Sequence, residues 1–176
     1  MFKVGDLIMY GAKGACRIKD ITELDWDVAE KGRKYYVIEP VFKGDLFYVP
    51  VGNDKVYIRP VMSKEDVLSL IDSMPEVKTE KQKVRSLQQL ARLYQTAIDS
   101  HEAADLVKLT KSIHMKEKTA QGQNKKLGQL DISYLEHAEN LLFGEIAVVL
   151  DIPRESVVSF ITERLERKTK DIENGK

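Results

Sequence analysis

The sequence is poor in the features that mark secreted and membrane proteins. Its 176 residues include one cysteine, Cys16, which cannot form an internal disulfide and fits a reducing cytoplasm. No apolar run approaches the roughly 18–20 residues that span a bilayer, and the N-terminus lacks the basic and apolar regions of a signal peptide. We therefore expect a cytoplasmic protein without membrane contact, with Cys16 buried as a small apolar side chain.

Catalytic motifs are also missing. The chain contains neither a G-x-x-x-x-G-K-[ST] phosphate loop nor a G-x-G-x-x-G loop. His101, His114 and His137 fall on different predicted helical segments, so the sequence predicts no metal site. Glu136 and Glu139 are interpreted as a solvated helix face rather than a catalytic pair. These observations predict a protein that is not an enzyme and that needs no cofactor.

The first 60 residues have the pattern of short β-strands. The opening stretch "FKVGDLIMYGAKGACRIKDI" alternates apolar and polar residues on both sides of Gly11 and Gly14, which predicts a hairpin. Five short strands in so few residues predict a small, strongly bent barrel of the SH3 or Tudor type. The predicted strands are 7–10, 15–21, 35–40, 46–50 and 56–59, with a long polar loop at 22–34.

The rest of the chain has helical periodicity. Ser63 is a predicted cap for a helix that ends before Pro75. Further helices are predicted over 76–98, 102–117, 132–151 with a cap at Asp131, and from Pro153 to about Arg167. The stretch 118–128 is predicted to be a loop. "AVVLDIPRESVVSFITER" resembles a helix-turn-helix, but its mixed charge favours an ordinary helical hairpin. The fold class is therefore α+β with two domains, a barrel at 1–61 and an all-α bundle at 62–170, followed by a frayed tail at 171–176.

The balanced charge of the chain conceals an uneven distribution. Residues 74–128 contain 11 basic and 6 acidic residues, whereas residues 129–176 contain 6 basic and 10 acidic residues. A basic middle segment could bind a polyanion such as DNA, although solvated helix faces would give the same pattern. The basic residues predicted to share the helix over 76–98 are Lys78, Lys81, Lys83, Arg85 and Arg92, with Lys125 and Lys126 in the following loop. Trp26 is predicted either to plug the mouth of the barrel or to face a partner.

Several segments resemble the CarD-like bacterial transcription regulators. "FKVGDLIMYGAKGACRI" is similar to the family's opening motif F-x-V-G-D-x-V-x-Y-x-x-x-G, and "KGDLFYVPV" is similar to its second hairpin. "VYIRPVMSKEDVLSLIDSM" resembles the family's passage from barrel to helix, and "ENLLFGEIAVVLDI" its C-terminal helices. The resemblance implies a barrel that binds the β subunit of RNA polymerase. It also implies a helical domain that contacts promoter DNA at the upstream edge of the −10 element and modulates the stability of the open complex.

The resemblance also locates candidate residues. The strand Phe47, Tyr48, Val49 and Pro50 corresponds to the polymerase-facing strand, with Tyr48 where some members have arginine. Some members also carry a tryptophan that wedges the edge of the DNA bubble; here Arg85 or Leu87 occupies that neighbourhood. The candidate DNA-contacting residues are Lys83, Arg85, Leu87, Arg92, Lys125 and Lys126, with contacts that are not sequence-specific. The protein is expected to be a monomer, associated with the nucleoid through RNA polymerase. The alternative is a protein–protein adaptor with a Tudor-like barrel and no DNA contact.

Overall fold

The computed structural model describes residues 1–26, 30–53, 55–79 and 84–174, with side chains described as far as Asp171. The chain divides into two compact units, Met1–Met62 and Ser63–Lys176. The first unit contains the β-structure and the second contains the α-helices.

The N-terminal unit is a five-stranded antiparallel sheet. The strands are β1 (Leu7–Tyr10), β2 (Gly14–Glu23), β3 (Lys34–Pro40), β4 (Phe47–Pro50) and β5 (Ile58–Pro60). They pair in the order β4-β3-β2-β1-β5, which leaves β4 and β5 at the two edges. The structure confirms an N-terminal β-unit of five strands, while closure into a Tudor-like barrel stays a prediction.

Alternation along these strands builds the core of the sheet. Ile8 pairs with Cys16, and Ile18 pairs with Ile38, so their side chains project from the same face. All four are completely buried. Cys16 is thus confirmed as a buried apolar side chain, and its burial raises the pKa of its thiol to about 11. A thiol in this environment is inert at neutral pH.

The described residues of the second unit form five α-helices. They are α1 (Lys64–Ser73), α2 (Leu87–Asp99), α3 (Ala103–Gly122), α4 (Gln129–Leu150) and α5 (Val157–Asn174). Ser63 caps α1 as predicted, because its hydroxyl accepts a hydrogen bond from the amide of Asp66 at 3.0 Å. Short 3-10 turns occur at Met74–Glu76, which follows α1, and at Arg154–Ser156, which precedes α5.

The predicted start of the second helix at residue 76 is wrong. Helix α2 begins at Leu87, because Ser86 is its cap and accepts a hydrogen bond from the amide of Gln89 at 3.1 Å. The Gln89 side chain in turn accepts a bond from the amide of Arg85, which completes a reciprocal cap. Of the basic residues assigned to this helix, only Arg92 lies on it among the described residues. Lys81 and Lys83 lie outside the described residues.

Other helix boundaries also differ from the prediction, and α5 begins at Val157, after a 3-10 turn, rather than at Pro153. Helix α3 continues to Gly122, so the predicted loop from residue 118 is helical in its first part. Gly128, rather than Asp131, occupies the cap position of α4. Helix α5 extends to Asn174, into the segment predicted to be a frayed tail. Polar and charged residues form these helix ends, where apolar periodicity gives no signal.

The helical core contains a buried polar centre. Leu106, Leu109 and Ile113 of α3 are buried. Asp131 of α4 is also buried. Its carboxylate accepts a hydrogen bond from the Tyr94 hydroxyl at 2.7 Å and forms an ion pair with the Lys116 ammonium at 2.6 Å. A buried carboxylate with both partners in place fixes the register of three helices.

The described residues give no sign of a membrane span or metal centre. None of their helices combines the length and the apolar character that crossing a bilayer requires. Nor does any cluster of three or more His, Cys, Asp or Glu side chains in this part of the chain form a possible metal site.

Candidate functional site

The candidate surface of the N-terminal unit is the edge strand β4. Its residues pair with β3 alone, with Val37 opposite Tyr48 and Tyr36 opposite Val49. The other side of β4 is therefore an edge of the sheet, to which an extended segment of a partner could add as a further strand. Pro50 has no backbone N–H, so such pairing weakens at the end of the strand.

The four predicted contact residues do not share one environment. Val49 is 3% exposed and belongs to the core, so its side chain cannot reach a partner. Phe47 points to the same side and packs against Tyr10, with ring centroids 5.2 Å apart. The Lys13 ammonium lies 5.8 Å from the Phe47 ring centroid, a cation–π contact. Only Tyr48 projects from the other face with a large exposed side chain.

Tyr48 forms an exposed aromatic pair with Trp26. Their ring centroids are 4.6 Å apart, and the ring planes meet edge to face at 67°. Trp26 is 50% exposed and Tyr48 is 38% exposed. Trp26 comes from the loop after β2, and Glu30 of the same loop donates its amide to the Tyr35 hydroxyl at 3.1 Å. Trp26 and Glu30 therefore each contact a tyrosine of the sheet. Of the two roles predicted for Trp26, its exposure favours contact with a partner.

A groove of about 540 Å³ lies on the same unit, with Pro50 on its lining. Its apolar walls are Phe2, Tyr36, Val51, Val56, Tyr57 and Ile58. The Phe2 amide donates to the Tyr36 hydroxyl at 3.1 Å, which holds the N-terminus against the groove. The groove is a second candidate binding surface of this unit, and the alternation of side chains along β4 does not identify it.

The predicted DNA-contacting residues are spread over the helical unit. Arg85, Leu87 and Arg92 are exposed at or near the start of α2, and Leu87 is 74% exposed. Lys125 and Lys126 are exposed in the segment between α3 and α4, where the Lys125 ammonium donates to the Gln123 side chain at 3.2 Å. Lys83 lies outside the described residues.

Two features of these surfaces were not apparent from the sequence. Leu87 continues the three- and four-residue spacing of Leu90, Tyr94 and Ile98 along α2. Those three are buried, but Leu87 is the first residue of α2 and lies beyond the packed part of the helix. The contact between Trp26 and Tyr48 joins a loop to a strand across the sheet, and no local sequence signal encodes such a pairing.

An antiparallel sheet with an exposed aromatic edge, joined to a helical unit, defines a protein-interaction module. The family model of the CarD-like/TRCF RID domain matches residues 2–62, the whole of the sheet-forming unit. The N-terminal unit is therefore similar to this domain, and the match supports the CarD-like assignment that the sequence motifs predicted. The RID is a domain that interacts with the β subunit of RNA polymerase. A search of curated proteins found no match to the chain.

Proposed function

We propose that this protein is a transcription regulator that binds the β subunit of bacterial RNA polymerase through its N-terminal unit. The observation that carries the proposal is the exposed Trp26–Tyr48 pair on edge strand β4 of a RID domain. Half-exposed aromatic side chains supply large contact areas at small entropic cost, and they are enriched among the residues that dominate binding energies. An adjacent strand edge supplies the backbone groups that fix the orientation of a partner.

The roles of the β4 residues follow from the alternation of their side chains. Tyr48 makes direct contact with the polymerase, together with Trp26. Phe47 and Val49 support the strand from the core side, and Phe47 contributes through its partly exposed edge. Pro50 limits the length of backbone pairing. A strongly bent, Tudor-like form of the sheet belongs to this proposal, with the edge of β4 left free for the partner.

The proposal extends to promoter DNA, contacted non-specifically at the upstream edge of the −10 region. Arg85 and Arg92 are exposed cations that can neutralise phosphates. Leu87 lies between them in sequence as an exposed apolar side chain, of the kind that minor-groove proteins insert between base steps. Lys125 and Lys126 are exposed cations on a second segment of the unit. Such contacts would change the stability of the open complex without reading the sequence of the DNA.

The remaining parts of the proposal follow from the choice of partner. A protein that works on RNA polymerase acts in the bacterial cytoplasm and associates with the nucleoid through the polymerase. In this proposal the protein is a monomer. It acts without catalysis, because binding alone can shift the equilibrium between closed and open complexes. The alternative is an adaptor that binds another protein through the same aromatic edge and has no DNA contact.

The test is co-purification of RNA polymerase with the full chain, with and without nuclease treatment. Retention of the polymerase after nuclease, together with a changed open-complex lifetime on a single promoter, is the expected result. Retention with an unchanged lifetime would favour a function without DNA contact. Loss of the polymerase with or without nuclease would refute docking and leave the adaptor with a different partner.

A further inference from the structure

Lys111 of α3 binds a segment of backbone rather than another side chain. Its ammonium donates to the carbonyl oxygens of Met74, Pro75 and Val77 at 3.0, 2.9 and 2.7 Å. An ammonium group has three N–H donors, so these three bonds occupy all of them. A lysine with this geometry is committed to the chain that it binds and is not available for a phosphate.

A second contact from the same side of α3 extends this attachment. Residues four apart on a helix are neighbours on one face, and Met115 lies four residues after Lys111. The Thr79 hydroxyl donates to the Met115 sulfur at 2.8 Å. The stretch 74–79 is therefore held against α3 near both of its ends.

The position of this stretch gives the attachment its importance. It begins with the 3-10 turn that follows α1, where backbone carbonyls at the end of a helix favour a nearby cation. Lys78 lies between the two attachment points and is exposed, so its side chain projects from a fixed backbone. Further along the chain are Arg85 and Leu87 at the start of α2.

We propose that Lys111 is a positioning residue for the DNA-contacting surface: it holds the stretch 74–79 so that Lys78 joins Arg85 and Arg92 in contacting phosphates. The proposal rests on the DNA contact proposed above. Lys111 itself contacts no DNA and acts through the backbone that it binds. Without it, Lys78 must be ordered when DNA binds, and the entropy of that ordering lowers the affinity.

The salt dependence of DNA binding separates positioning from direct contact. Each phosphate that a protein neutralises contributes about 0.9 to the slope of log affinity against log salt. Loss of a positioning residue lowers the affinity and leaves the slope unchanged, because the same cations still reach the same phosphates. Loss of a direct contact lowers both. A purely structural lysine would alter neither quantity as long as the protein remains folded.

The experiment compares Lys111→Met with Lys108→Met, a matched change of an exposed lysine on the same helix. Hydrogen exchange of the Val77 amide, which donates to the Met74 carbonyl at 3.3 Å, and DNA affinity at several salt concentrations are measured on the full chain. For Lys111→Met we expect exchange of this amide about tenfold faster, affinity about three- to tenfold lower and an unchanged slope. Lys108→Met should leave the exchange of the Val77 amide unchanged, and Lys111→Arg, which keeps a cation with several donors, should recover part of the affinity.

Several results would overturn the proposal. A slope that falls by about 0.9 in Lys111→Met would make Lys111 a direct phosphate contact. Unchanged exchange or unchanged affinity would remove the positioning role. If Lys111→Met does not fold, Thr79→Val releases only the far end of the stretch, and the same two measurements decide. A wild-type protein that binds no DNA would instead refute the DNA contact itself, and with it any role of Lys111 in that contact.

Discussion

Removal of the exposed aromatic pair should separate docking from folding. Tyr48→Ala and Trp26→Ala each delete one ring of a pair whose centroids are 4.6 Å apart. Neither residue belongs to the buried core cluster of the sheet. We therefore expect both variants to fold and to lose affinity for the β subunit of RNA polymerase.

The magnitudes follow from the exposure and contact of the two rings. An aromatic pair contributes about 0.5–1.5 kcal/mol beyond the area that it buries, which sets the expected loss of folding stability. Truncation of an aromatic anchor costs about 1–3 kcal/mol of binding, or roughly 5- to 150-fold in dissociation constant. Because each ring supports the other, the double variant should lose less than the sum of the single losses, by about 0.5–1.5 kcal/mol.

The assay is a double-mutant cycle against a polymerase β fragment, with melting temperatures measured in parallel. Trp26 is the only tryptophan of the chain, so its fluorescence, corrected with a Trp26→Phe variant, should shift to shorter wavelength as docking covers it. Tyr57→Ala is the matched control, because Tyr57 is 46% exposed in the same unit but lies outside β4.

Two results would refute this reasoning. An affinity within twofold of wild type for Tyr48→Ala, in a protein of unchanged melting temperature, would place docking elsewhere. The groove lined by Tyr57 would then be the next surface to test. A large fall in melting temperature with no specific loss of binding would mean that Tyr48 is a packing residue.

Two further predictions concern the DNA contact and the core of the sheet. Replacing Arg85 and Arg92 together by Gln should lower the salt slope of DNA binding by about 2. The variant should change the open-complex lifetime less than the wild-type protein does, while its binding to the polymerase is retained. An unchanged slope would direct attention to Lys125 and Lys126. Burial raises the pKa of the Cys16 thiol from 9.0 to about 11, so as pH rises the unfolded state loses the thiol proton before the folded state does. The stability that the neutral thiol contributes is therefore complete below pH 9 and falls as pH rises toward 11. The loss approaches about 2–3 kcal/mol, and urea unfolding of Cys16→Val should show a weaker dependence on alkaline pH than wild type; equal dependence would contradict it.

The sheet was largely predictable because alternation is a local signal. Strand β1 has the bounds that the sequence predicts, and the other strands differ by one to two residues at most of their ends. The irregularity between Ile18 and Asp20, where the pairing with β3 changes register, was not predicted. A bulge depends on how the partner strand is placed, and the sequence of β2 alone does not specify that placement.

The same alternation could have sorted the predicted docking residues. A strand in which Phe47 and Val49 face the core must direct Tyr48 to the opposite face, so the sequence contained the information that separates Tyr48 from its neighbours. The partner of Tyr48 was not predictable in this way. Trp26 reaches it from a polar loop, and loop geometry depends on contacts distant in sequence.

The helical surface was less predictable because caps compete with periodicity. The apolar spacing of Leu90, Tyr94 and Ile98 extends back to Leu87 without a break. Ser86 and Gln89 nevertheless form the cap at which α2 starts. Because the helix starts at this cap, Leu87 lies outside its packed part and is the most exposed aliphatic side chain of the described helices. The S-x-x-Q pattern at 86–89 was the signal that could have located this boundary.

The distribution of charge bears on the proposed combination of docking and DNA contact in one chain. Basic and acidic residues number 28 each, so the protein as a whole has no net charge with which to attract DNA over a distance. The excess of base over 74–128 is nearly offset by the excess of acid over 129–176. A few phosphate contacts made by such a protein bind weakly at physiological salt. Docking through the RID domain would raise the local concentration of the helical unit beside promoter DNA to the millimolar range. Tyr48→Ala should therefore abolish the effect on the promoter even though the DNA-contacting residues remain intact.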